Sequence, residues 1–130
     1  MSEKTAVSPT ILATATRVLH RLLVHYGLEA DALFVECGLD PRTRDDARAR
    51  YPAARVRALW HMADQAIEDP CWALAAGNVW RPTDFHALGY AFLASHTLES
   101  ALLRMERYTR IVATDGVVSV AAEPTGYSVT

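Results

Sequence analysis

The stretch SPTILATATRVLHRLLVHYGL, residues 8–28, carries the reading that decides the fold. Ile11, Leu12, Ala15, Val18, Leu19, Leu22, Leu23 and Tyr26 recur at the spacing that gathers side chains on one face of an α-helix. Ser8 offers an oxygen to the free amides of a first turn, and Pro9 suits the first helical position, where its missing amide costs nothing. Gly27 supplies the left-handed backbone on which a helix stops, with Leu28 folding back after it. The stretch therefore predicts an amphipathic helix whose apolar stripe must be covered by other helices.

Working outward, a short second helix is expected over residues 30–37, burying Leu33 and Phe34 and stopped by Gly38. Asp40-Pro41 opens a charged stretch to Arg50 without a large apolar residue, which reads as an exposed connection. Pro52 starts a helix with the stripe Val56, Leu59, Trp60, Ala63, Ala66 and Ile67. Asp69-Pro70 ends it and begins another, closed by Gly77. Thr83 is placed to cap a helix carrying Phe85, Leu88, Gly89, Phe92 and Leu93, whose small residues Ala87, Gly89, Ala91 and Ala94 permit a close neighbour. Thr97 caps the last helix, with Glu99 in its first turn and Leu98, Ala101, Leu102, Met105, Tyr108 and Val112 facing inward.

After Asp115-Gly116 the pattern changes. Val117, Val118 and Val120 favour a strand, and Glu123-Pro124-Thr125-Gly126 reads as a turn before Tyr127-Ser128-Val129-Thr130. The predicted class is mainly α: a bundle of about five to six helices, then a C-terminal β-hairpin or the first strands of an incomplete sheet. Helices occupy about residues 9–113 and strands about 116–130 of a single domain. A lone hairpin is marginal in water, so a chain ending inside its second strand reads as a fragment of a longer α+β domain.

Composition narrows the function. With 51% hydrophobic and 22% charged residues the chain can build a core and is no disordered tail. Its net charge of −2 lacks the basic surplus with which a nucleic-acid binder neutralises phosphates. Cys37 and Cys71 are far apart and form no ligand-spaced cluster, so two buried thiols in a reducing compartment are expected. The polar opening Met1–Ser8 does not read as a signal peptide, and no segment approaches the roughly 20 apolar residues of a membrane span. A cytoplasmic protein without a membrane partner is the expectation.

Several segments, in order, resemble one family. Ala32-Leu33-Phe34-Val35-Glu36-Cys37-Gly38-Leu39-Asp40-Pro41 is similar to its "aGLdp" start, and Val56-Arg57-Ala58-Leu59-Trp60 with Glu68-Asp69-Pro70 to its "Lw…dP" middle. The most specific stretch runs from Leu88-Gly89-Tyr90 through Thr97-Leu98 to Ala101-Leu102, then Glu106-Arg107-Tyr108, and resembles "lGyallsSpTLgeAL". These belong to the arabinose-binding-type N-terminal domain of AraC-type transcriptional regulators. The resemblance implies a regulatory domain that senses a small-molecule effector, mediates dimerisation, or both, with DNA contacted only through a separate helix-turn-helix module that this chain lacks. His96 replaces the usual Pro, and Cys71-Trp72-Ala73-Leu74 departs from the commoner Gly-Leu, placing an indole where relatives are often small.

The candidate ligand-binding residues are Trp60, His61, Trp72, Trp80, Phe85, His86 and Tyr90, aromatics among a few polar groups. The plainer reading of each is helix packing, with indole and phenol tips bonded nearby. His61 with Asp64, and His20 with His25, lack the convergent ligands of a metal site, so no metal or cofactor is expected. Ser95-His96 lacks the surroundings of an activated nucleophile, and no catalytic residue is assigned. Arginines 42, 44, 48, 50, 55 and 57, partly cancelled by Asp40, Asp45 and Asp46, read as a solvated face. The last helix has two readings, a homodimer contact or a contact within the chain. A helical protein–protein interaction module without a ligand is the alternative function.

Overall fold

The predicted first helix divides into three pieces. The computed structural model describes residues 6–130, so Met1–Thr5 of the polar opening lie outside it. Thr10–Leu12 form strand β1, Ala13–Thr16 a 3₁₀ turn, and only Arg17–His25 an α-helix, α1. The strand wins because Thr10 and Ile11 find a partner far along the chain: β1 pairs antiparallel with β2, Arg50–Pro52, setting Ile11 opposite Tyr51. Ala13 N–H donates to the Ala49 carbonyl and Ala53 N–H to the Pro9 carbonyl, which extends the ladder at both ends. Local periodicity is overridden by non-local hydrogen bonding.

Beyond β1 and α1 come α2 (Ala30–Glu36), β2, α3 (Ala53–Ala66), α4 (Ala76–Val79), α5 (His86–Leu93) and α6 (Leu98–Val112), then β3 (Val120–Glu123) and β4 (Gly126–Val129). The architecture is mainly α with a C-terminal β-hairpin, as expected, and the β1–β2 pair is an addition. Both early helix stops behave as read. Gly27 takes φ +76° and Gly38 φ +75°, and the amides of Leu28 and Leu39 donate back to the Leu23 and Phe34 carbonyls. Gly77, expected to close a helix, instead lies within α4.

The principal core gathers Val18, Leu19, Leu22 and Leu23 of α1, Phe34 of α2, Leu39, Tyr51, and Val56, Leu59 and Ala63 of α3, with Ile67 and Trp72. Phe34 sits at its centre, fully buried and edge-on to both His20 and Tyr51. Burying such a side chain stabilises the fold by about 2–3 kcal/mol. On α3 the predicted stripe is narrower than expected: Trp60 and Ala66 lie on the outer side of the helix.

A second layer is made by α5 and α6. Thr97 caps α6 as predicted, its hydroxyl accepting from the Ser100 amide at 3.1 Å while Ser100 Oγ accepts from the Thr97 amide at 3.3 Å. Only Ala101 of the α6 stripe is fully buried, and Leu98 and Tyr108 are exposed. Thr83 caps nothing. Its expected role belongs to Asp84, whose carboxylate accepts from the Arg81 amide at 2.9 Å and holds a 3₁₀ turn over Pro82–Phe85 ahead of α5.

Gly89 explains why α5 needs a small residue. A Cβ there would lie 2.0 Å from the Pro82 carbonyl oxygen, so the close neighbour is the backbone of the turn. Gly77, by contrast, has open space where its Cβ would stand. Gly89→Ala should lose about 3 kcal/mol in urea unfolding through overpacking, whereas Gly77→Ala should gain about 0.5–1 kcal/mol from helix propensity. Equal responses at the two glycines would contradict this account of α5.

Candidate functional site

The region around the predicted aromatic residues is organised by Asp84, which is fully buried. Arg21 of α1 donates to both its oxygens, Nη1 to Oδ2 at 2.7 Å and Nη2 to Oδ1 at 2.9 Å, and Nη1 also reaches the Val79 carbonyl. This bidentate pairing pushes the Arg21 pKa above its ordinary value, against its partial burial. Thr14 Oγ1 donates to the Asp84 carbonyl at 2.9 Å. With that hydroxyl hydrogen committed, the His86 Nε2–H, 3.0 Å away, is the donor to Thr14. His86 takes φ +51°, a costly backbone state for a non-glycine residue, at the join between the turn and α5. The joint between the two layers is thus built from polar groups that satisfy one another.

Against this joint, α5 and α6 leave a cleft of about 330 Å³, lined by Trp80, Phe85, Leu88, Phe92, Met105 and Val112, with Gly89, Thr109 and Val118 completing the wall. The surface is almost wholly apolar. The one hydroxyl in it, that of Thr109, donates within its own helix to the Met105 carbonyl. Trp80 and Phe85 meet at a centroid distance of 6.3 Å, tilted by 53°. Such a wall selects by shape and apolar surface.

Of the seven candidate residues, the structure brings Trp80 and Phe85 together at this cleft. His86 lies behind it, bound to Thr14. Tyr90 is on an exposed face of α5. Trp60, half-exposed on α3, stacks on Trp72 at 5.4 Å, and the buried Trp72 donates its indole N–H to Asp64 Oδ1 at 3.1 Å. His61 is exposed on α3. Leu88, Phe92, Met105 and Val112 carry a visible signal, since they stand on the apolar stripes of the last two helices; the stripes give no sign of the gap between them. Thr109 and Val118 carry none.

Cys37 is half-buried, its thiol pKa pushed up by burial, and Cys71 is exposed rather than buried. The arginines between positions 42 and 57 are not simply a solvated face. Arg50 donates to the Ile111 and Val112 carbonyls, Arg55 to Gly38 and Arg57 to Asp115. Among the described residues no three His, Cys, Asp or Glu side chains gather as a metal site requires, and no helix is long and apolar enough to cross a membrane.

Fold and cleft define a mainly helical domain with an apolar pocket between its last two helices. The family described as the arabinose-binding domain of AraC transcription regulators, N-terminal, matches residues 27–130, and the chain belongs to it. That family is one of transcription regulators. No curated protein matches the chain.

Breaking the joint should be expensive. Asp84→Asn should cost about 3 kcal/mol by leaving Arg21 without its charge partner, measured by urea unfolding. Arg21→Met combined with Asp84→Asn should cost less than the two singles together. Strict additivity would mean that the pair does not act as a unit.

Proposed function

We propose that this chain is the regulatory part of an AraC-type transcription factor, sensing a small-molecule effector and controlling a separate helix-turn-helix DNA-binding domain. The apolar cleft between α5 and α6 carries the reading. At about 330 Å³ it is at the lower end of the range for small-molecule sites. Its walls suit a compact apolar or aromatic effector, with Trp80 and Phe85 as the aromatic contacts. The net charge of −2 supports a division of labour in which phosphate contacts belong to another module.

The position of the cleft supports signalling as well. Met105, Thr109 and Val112 set two turns of α6 along the cleft, and Val118 leads directly into the β3–β4 hairpin. An effector that fits better when α6 and the hairpin are drawn in biases their position, which is all that a ligand-driven switch requires.

Thermal unfolding across a panel of small apolar and aromatic compounds tests the proposal. A binder at about 100 times its Kd stabilises the folded chain by about 2.7 kcal/mol and should alter tryptophan fluorescence in the wild type but not in Trp80→Phe. Phe85→Ala, a folded variant by circular dichroism, should weaken that binding at least several-fold. If no compound raises Tm or touches the Trp80 signal, the sensor reading fails.

One observation favours the second reading, an interaction module without a ligand. Tyr90 and Leu93 on α5 and Leu98, Leu103 and Ile111 on α6 are exposed apolar side chains on adjacent helices. Their occupant in this reading is a second copy of the chain, which buries both sets at once. Sedimentation should then give a dimer that Leu103→Glu with Ile111→Glu converts to a monomer. A wild type that stays monomeric at high concentration removes this reading.

A further inference from the structure

A second cavity, sharing no residue with the apolar cleft, has the opposite chemistry. It encloses about 240 Å³ and is lined by Arg17, His20 and Arg21 of α1, Arg44 and Asp45 of the 3₁₀ turn Pro41–Asp45, and Arg81 and Thr83. Charged side chains converge there from three separate stretches of chain. Like charges gathered around one space repel, and the arrangement is stable only as far as anions offset it.

The internal anions offset it incompletely. Asp84 is committed to Arg21, with Arg17 at 3.9 Å. Asp31 accepts from His20 at 2.9 Å and from Arg44 at 3.2 Å, and these bonds hold its carboxyl below the usual range. Asp45 Oδ1 accepts from Arg17 Nε at 2.8 Å. Four arginines, Arg17, Arg21, Arg44 and Arg81, therefore face three aspartates, Asp31, Asp45 and Asp84, leaving one positive charge over. Arg81 forms no ion pair among the described residues.

The cations are also held in place. The side chains of Arg17, Arg21 and Arg44 are only 22%, 24% and 17% exposed. Arg44 lies over the Phe34 ring at 5.8 Å, which fixes its plane, and Arg21 is locked by the fully buried Asp84. Guanidinium groups ordered beforehand lose little freedom when they bind. Asp45 is different: its side chain is 67% exposed, and it engages the cluster from the solvent side.

We propose that this cavity is a binding site for a small, multiply charged anion bearing carboxylate or phosphate groups, in which Asp45 is the internal competitor for Arg17. The incoming anion takes the Arg17 hydrogen bond from Asp45 and pairs with Arg81 and Arg44, with the Thr83 hydroxyl at the edge as a further donor. The site is independent of the effector cleft, so either stands if the other fails.

Calorimetric titration of the whole chain with inorganic phosphate and with malonate, against sodium chloride at matched ionic strength, tests it. Saturable binding of one or both is expected, and the preferred anion identifies phosphoryl or dicarboxylate chemistry. Arg81→Ala should weaken it about ten-fold through loss of a charge-assisted contact. Asp45→Asn should tighten it by a similar factor, a gain that misfolding cannot produce. Arg42→Ala, on an exposed pair with Asp40, should leave it unchanged. Heats no different from those of chloride, or binding indifferent to both Arg81→Ala and Asp45→Asn, would overturn the proposal.

Discussion

Asp84 has no contact with solvent, and a carboxylate withdrawn from water is tolerated only when its oxygens are satisfied and its charge is met. Arg21 meets the charge with two hydrogen bonds, the Arg81 amide adds a third, and Thr14 holds the carbonyl of the same residue. These contacts join α1, the turn before it and the turn before α5, so the start of α5 is fixed on the main bundle through Asp84, while Arg50 and Arg57 hold the end of α6. The apolar cleft exists because that layer is held at a set distance. If the joint could slide, Trp80 and Phe85 would collapse onto Leu88 and Phe92 to bury their surface.

The same joint shows where polar groups do the positioning and apolar groups the shaping. Gly89 lets α5 approach the backbone of Pro82, and the positive φ of His86 turns the chain from the 3₁₀ turn into the helix. Both are local departures from regular structure beside the cleft, and both are held by the Asp84 network. A pocket whose walls make no hydrogen bonds to its ligand depends on rigid surroundings for selectivity. Those surroundings are polar, although the pocket is not.

Much of the helical framework was legible in the residues. Gly27 and Gly38 announce their helix ends because few other residues adopt the required backbone, and Thr97 announces a cap because its hydroxyl serves a free amide. What escaped reading depended on distant partners. Thr10 to Leu12 fit a helical stripe, yet they pair with Arg50 to Pro52, which reads in the sequence as the end of a charged connection and the start of a helix. Asp84 drew no expectation at all, because nothing nearby in the chain reveals Arg21 as its partner. Of the candidate aromatics, Trp80 and Phe85 share a cleft because they flank one turn, whereas Trp60 and Trp72 found each other across a different one.

Arg50 ties together parts of the molecule made at very different times. Its guanidinium donates to the carbonyls of Ile111 and Val112 at the end of α6 and to Thr10 in β1, while the Thr114 amide donates to the Thr10 carbonyl. The first strand therefore cannot complete its contacts until almost the whole chain has left the ribosome. Until then β1 can pair with β2, but its contacts with Ala113 and Thr114 stay unmade. Closing a loop of this length costs entropy before any hydrogen bond repays it, so docking of the end of α6 on β1 belongs late in folding.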